Sequence, residues 1–573
     1  EMRGMPFYFG TKHNDVIIRT SAYLTDTIYG YGGKDEIRGY ATNNSVIYGG
    51  KAGDKIYAHS GQGNELHGQG GNDFIRGWNA SGKNEIFGGR GDDEIHAAGK
   101  ENEIKGGDDK DKIRVSGKSN KIWGGDNGDD IKTEKGENKI WGGQGFDDIE
   151  VNGASNKVYG GTERDTIDAF GGSNTVWGGG GNDKIESTGQ ESRVYGDGGA
   201  DEISSGGLLS KVWGGFGNDE ISSSGQTSTV WGGDGADEIS STGASNLVYG
   251  GKNDDTIESL SGQGQIFGGS GADDVDAFGA SARISGGGGD DDLRAVGADA
   301  VVFGGNGDDL LRLVGLNGKG FGDDDDDEIR LIALSGQGWG GEGDDLIKFL
   351  GGEGRANGGQ GADTFEARSL DNTFFGNGGA DQMNLLANSN VAYGGSGDDF
   401  ILGGAFSNNV AHGDDGDDVI NMEAALGGDS LFGGDGEDAI SSGVGEDKLY
   451  GGVGADVISA LGGTNLLIGG RGFDVITAYD GSNEIYGGRG DDVINLGLGA
   501  DVVGFDANSG RDRITQFDDQ NDLLDFTAID GDSPAGLSFS EVAGVGTRIE
   551  VRGHSVEVLL VQTFNLDETS YLV

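Results

Sequence analysis

The sequence predicts an all-β chain: a right-handed parallel β-roll, or flattened β-solenoid, of about 26 coils with an 18-residue repeat and a small C-terminal β cap. Three observations carry this. Glycine is abundant while proline is nearly absent, an aspartate recurs at a fixed step, and an aliphatic residue follows it two positions later.

The 573 residues include 122 glycines but only two prolines, Pro6 and Pro534. Collagen and Pro/Gly-rich disordered tracts need both residues, so neither fits. Glycine without proline suits tight turns of positive φ between short, hydrogen-bonded strands. The 98 acidic residues against 41 basic ones leave a formal charge of −57. Such a chain repels nucleic acid and anionic membranes, and it repels itself until cations neutralise it. With no cysteine there is no disulfide or thiolate metal site. No apolar run is long enough to insert in a membrane as a helix.

The segment Gly142-Gly143-Gln144-Gly145-Phe146-Asp147-Asp148-Ile149 has the form GGxGxDxU, with U aliphatic. Its aspartate recurs at Asp93, Asp111, Asp129, Asp147, Asp165, Asp183, Asp201, Asp219, Asp237, Asp255 and Asp273. The same 18-residue step continues through Asp291, Asp309, Asp327, Asp345, Asp363, Asp381 and Asp399. Less regular copies precede it at Asp15, Asp35, Asp54 and Asp73 and follow it at Asp418, Asp438, Asp456, Asp474 and Asp492. Nine residues after most of these comes a second half-repeat. Its marker is Asn102, Asn120, Asn138, Asn156, Asn174 or Asn246, with Ser192, Ser210 and Ser228 in some coils. Each unit thus reads turn, short strand, turn, short strand. One inward aliphatic per strand buries no core alone, but stacked coils align these residues into two facing columns.

The array resembles the RTX (repeats-in-toxin) family, whose hallmark nonapeptide is GGxGxDxUx, over about residues 10–505. The resemblance implies calcium held between coils by the motif aspartates and by carbonyls of the glycine loop. It also implies an extracellular protein of a Gram-negative bacterium, exported by type I secretion. Hard Ca²⁺ takes six to eight oxygens, which an aspartate and a loop of glycine carbonyls can supply. Typical members carry calcium loops on both edges. Here only Asp447 and Asp501 stand nine residues from another motif aspartate with a motif of their own, so calcium is expected on one edge, about one ion per coil. The other edge carries an Asn/Ser ladder able to hydrogen-bond from coil to coil.

The residue before the Gly-Gly pair is aromatic in nine successive coils: Trp123, Trp141, Tyr159, Trp177, Tyr195, Trp213, Trp231, Tyr249 and Phe267. It is aromatic again at Phe303, Phe321, Trp339, Phe375 and Tyr393. Strand alternation points this column outward. Two readings stand side by side: a stacked ladder that stabilises neighbouring strands, and an interface stripe that docks another chain.

The predicted organisation is irregular coils over 1–92, a regular roll over 93–410, further coils over 411–505 and a cap with a secretion region over 506–573. Asp512-Arg513-Ile514 and Asp522-Leu523-Leu524 open that cap. None of the six histidines forms HExxH, and no strict GxSxG occurs, so no enzyme is expected. Among non-enzymes, the leading reading is a self-assembling surface component (S-layer, sheath, filament or matrix) whose partner is itself. A surface polysaccharide is the further candidate partner. An adhesin stalk or glycan-binding module is the alternative, and ice binding is the weakest, since its threonine pattern is missing from the loop.

Overall fold

A computed structural model describes residues 7–20, 26–40, 44–59, 63–78, 82–405, 408–529, 537–542, 546–551, 556–560 and 570–572. The chain divides into two compact units, Glu1–Ile284 and Ser285–Val573. Each is a β-solenoid built by parallel pairing of strands one coil apart. In the first unit Ile149 stands opposite Ile167 and Val158 opposite Val176. In the second, Leu311 stands opposite Ile329 and Leu313 opposite Leu331. Among the described residues the stacks amount to about 28 turns, in line with the expected number of about 26. Coils without the full glycine loop, such as the one carrying Asp512, still stack in register: Ile494 pairs with Ile514.

The alternation of strand side chains decides what is inside. Ile149, Ile167 and Ile185 form one inward column, and Ile140, Val158 and Val176 face them, all at 0–1 % exposure. A third inward column, which the two-column expectation omits, lies two residues after the first. It holds Val151 and Ala169, then Ser187, Ser205 and Ser223, then Leu313, Leu331 and Phe349 in the second unit. Its size complements the second edge. At Ser187 and Ser205 the edge residue is serine as well and the hydroxyls bond: Ser192 to Ser187 at 2.6 Å, Ser205 to Ser210 at 2.7 Å. Where the edge residue is Gly318 or Gly336, a leucine fills the space, and a Cβ there would crowd Leu313 or Leu331. Close packing at constant volume is kept in both solutions.

One expectation is corrected. In coils such as Thr166–Gly180 and Lys184–Gly198 a single 15-residue strand runs unbroken round the second edge. Two short strands per coil hold farther on, as in Gln382–Leu385 and Val391–Ser396. The cause is local. Gly153, Gly171 and Gly189 let the bend keep its coil-to-coil pairing, so only the aspartate edge interrupts the ladder.

At the C-terminal end the parallel stack gives way to an antiparallel hairpin. Leu537–Val542 pairs with Gly546–Val551, which pairs with Val556–Leu560. That last strand lies parallel to Gly510–Thr515 and so covers the final coil edge. Covering an open edge in this way blocks strand addition from another chain. Among the described residues no helix is long and apolar enough to cross a membrane.

Candidate metal site

The glycine loop places the motif aspartate. Gly143 and Gly145 take φ of +128° and +106°, conformations that side chains resist, and the chain turns sharply enough to aim Asp147 into the stack. The Oδ1 of each aspartate accepts the backbone N–H of the aspartate one coil earlier. Asp93 donates to Asp111 at 2.9 Å, Asp111 to Asp129 at 2.8 Å and Asp129 to Asp147 at 2.7 Å. The second unit repeats it, with Asp327 donating to Asp345 and Asp363 to Asp381.

The other oxygen is different. From Asp35 to Asp255, and again from Asp309 to Asp512, each ladder Oδ2 is buried and accepts no hydrogen bond. These residues are 2 % exposed or less. An unpaired buried carboxylate oxygen is costly, and here the cost recurs coil after coil. Burial pushes the carboxyls of Asp93, Asp111 and Asp147 up to about 8, and neighbouring aspartates add repulsion. Asp237 and Asp381 rise to about 6 by burial. Asp15, on the first coil, is the exception in hydrogen bonding: its Oδ2 accepts from the Thr11 hydroxyl at 2.9 Å.

The first glycine of each loop forms the floor beneath that oxygen. A Cβ on Gly142 would collide with Asp147 Oδ2 and with the Gly160 carbonyl of the next coil. Gly106 stands in the same relation to Asp111 and Gly124, and Gly232 to Asp237 and Gly250. Carboxylate and carbonyl oxygens therefore converge on a backbone cradle that no side chain enters. Among the described residues no three His, Asp or Glu side chains gather into a closed metal cluster. A cation here would take one carboxylate per coil and most of its oxygens from the backbone, the donor set suited to Ca²⁺ rather than to a softer metal. The residues fit the ion that the repeat implies.

From Asn102 to Asn156 the second edge closes on itself. The amide Nδ2 of Asn102 donates to Asn120 Oδ1 at 2.8 Å, Asn120 to Asn138 at 2.7 Å and Asn138 to Asn156 at 2.9 Å. Asp447 and Asp501 are found on this edge, and Asp429 joins them. All three bury an Oδ2 without a hydrogen-bond partner, and Asp447 Oδ1 accepts from the Asp429 N–H at 2.8 Å. Asp429 and Asp512 are ladder residues that the motif search passed over, because neither follows a full glycine loop. Both keep the aspartate–residue–aliphatic triplet, Asp429-Ser430-Leu431 and Asp512-Arg513-Ile514, which would have found them.

From Trp123 to Phe267 the aromatic column is a continuous stack. Trp123 and Trp141 lie 4.8 Å apart at 4°, Tyr159 and Trp177 4.4 Å at 5°, and Trp213 and Trp231 4.6 Å at 4°. The rings are half-buried, with faces on one another and edges toward solvent. The stack also runs through Tyr29, Tyr48, His67 and Phe87, which the sequence reading omitted. Lys105 bridges the gap to Trp123, its ammonium 5.6 Å from both ring centroids.

Repeats matching the family described as RTX calcium-binding nonapeptide repeat (4 copies) run from residues 25–46 and 60–93 through 213–248 and 357–392 to 468–503, more than half of the chain in all. The chain belongs to that family of calcium-binding repeat proteins. No curated protein matches it. Among solved structures it is similar to the solution structure of the AlgE6R3 subunit of an Azotobacter vinelandii mannuronan C5-epimerase. The two are 26 % identical over 24 % of this chain and 80 % of that one, with a TM-score of 0.14.

Proposed function

We propose that this is a calcium-dependent structural protein of the cell exterior, exported by type I secretion, that assembles with copies of itself into a surface layer, sheath, filament or matrix. One observation supports it above others: nearly every described coil holds a buried carboxylate oxygen with no partner. A fold that repeats this feature needs cations throughout, so ordering is tied to the calcium-rich outside of the cell. About one ion per coil, about 25 in all, would lie along the whole edge that contains Asp93 to Asp399, while the Asn102-to-Asn174 edge stays free of metal. The half-buried aromatic edges supply a stripe for contact between copies.

The test is electron microscopy and sedimentation of the purified chain with and without calcium. Ordered multi-copy assemblies that require calcium support the reading. A chain that folds with calcium and stays monomeric at every concentration supports the adhesin-stalk alternative instead.

A further inference from the structure

Lys121, Lys139 and Lys157 lie on three adjacent strands in direct register, Lys121 opposite Lys139 and Lys139 opposite Lys157. All three are exposed, and among the described residues none has a carboxylate within ion-pair distance. Glu103, next in the column, is taken by Lys83 at 2.9 Å. The lysines line a groove of about 490 Å³ that also holds Glu101 and Glu137. They stand two residues before Trp123, Trp141 and Tyr159, on the same outward face.

Like charges directly opposite on neighbouring strands destabilise a sheet. In a chain of net charge −57, only one end of this stack meets an acid in its own column: Glu103 stands opposite Lys121, while Thr175 stands opposite Lys157. The second unit holds the opposite arrangement. Asp290, Asp308, Asp326 and Asp344 are exposed in four successive coils. Each carboxylate is held in line by the next coil's N–H: Asp308 to Asp290 at 3.1 Å, Asp326 to Asp308 at 3.2 Å, Asp344 to Asp326 at 2.7 Å and Ala362 to Asp344 at 2.7 Å. Both stacks advance by one coil per 18 residues, so their charges share one spacing.

We infer that the lysine column of one copy docks on the aspartate column Asp290–Asp344 of a second copy, relieving two like-charge stacks at once. Taken head to tail, the pairing is heterologous and propagates from copy to copy. The inference rests on the self-assembly proposed above and names the surfaces that carry it. Nucleic acid is a poorer occupant, since the net charge repels a phosphate backbone.

The experiment uses the full chain in calcium and reads the concentration at which it assembles. A Lys121→Glu/Lys139→Glu/Lys157→Glu variant is expected to keep the calcium-induced β-spectrum and to raise that threshold about tenfold. An Asp308→Lys/Asp326→Lys/Asp344→Lys variant is expected to do the same, and an equal mixture of the two to restore assembly. Should the lysine-bearing aspartate set fail to fold, the set with asparagine at those positions replaces it, with a smaller rise expected. Added sodium chloride is expected to raise the threshold of the parent and not of the lysine variant. If the parent assembles and the charge variants match it in threshold and salt response, the pairing is overturned while self-assembly stands. If the parent does not assemble with calcium, both fall.

Discussion

In the coils from Asn102 to Asn156 the two edges of the roll differ by one side-chain atom per coil. On one, an aspartate gives Oδ1 to the preceding coil and leaves Oδ2 buried without a partner. On the other, an asparagine accepts with Oδ1 and donates with Nδ2, so Asn120 is bonded in both directions along its column. Replacing a carboxylate oxygen by an amide nitrogen turns an edge that requires an external cation into one that is complete by itself. Buried polar columns are stable when each member is satisfied and costly when it is not. The asparagine coils are therefore satisfied along one edge without an ion, while the aspartate edge depends on its surroundings.

Removing calcium is expected to have the largest effect. Chelated at neutral pH, the chain should lose its β-spectrum and expand, as read by circular dichroism and small-angle scattering; a compact, β-rich metal-free chain at low salt would break the comparison. Acid should substitute in part. Burial lifts the metal-free folded carboxyls of Asp93, Asp147 and Asp327 to about 8, above the unfolded value near 3.8. The folded state then binds more protons than the unfolded one, so its stability is greatest below about pH 4 and falls as pH rises from there toward about 8. Metal-free protein is expected to gain β-structure on acidification over that window, and a spectrum independent of pH would count against the buried ladder.

Next in size is the conversion of the amide edge. Changing Asn120, Asn138 and Asn156 together to aspartate removes three donors and buries three charges, at about 1–3 kcal/mol each. Urea unfolding at fixed calcium should show the loss, and higher calcium should recover part of it. A smaller effect is expected for Gly232→Ala, whose methyl would press on Asp237 and the Gly250 carbonyl, costing about 1–3 kcal/mol. Its calcium titration should show a missing site. The smallest is Asp237→Asn. An amide reproduces the side chain of the other edge, so the variant should bind one ion fewer while its global melting barely moves, since solenoid stability is set by neighbouring coils. A global collapse from this one change would sink the nearest-neighbour picture.

Much of this was legible in the residues. The period, the inward Ile149 and Val158 positions, the outward Trp141 position and the chemical difference between the edges are all periodic along the chain, and a periodic sequence stacked in register repeats its environment. The passages that were not legible break the period. Asp429 and Asp512 lack the glycine loop, and the terminal hairpin of Leu537–Val542 with Gly546–Val551 follows a different rule.

By itself the sequence determined the coil length, the class of fold, the hard-oxygen character of one edge and the amide character of the other. These follow from residue type and spacing, which no packing can alter. Only the tertiary structure decided which oxygen of each aspartate is satisfied, how Leu313 replaces the Ser187–Ser192 pair of other coils, and how the rings from Trp123 to Phe267 bury their faces on one another. Each of those depends on a partner about one coil away, and that partner is defined only once the coils have stacked.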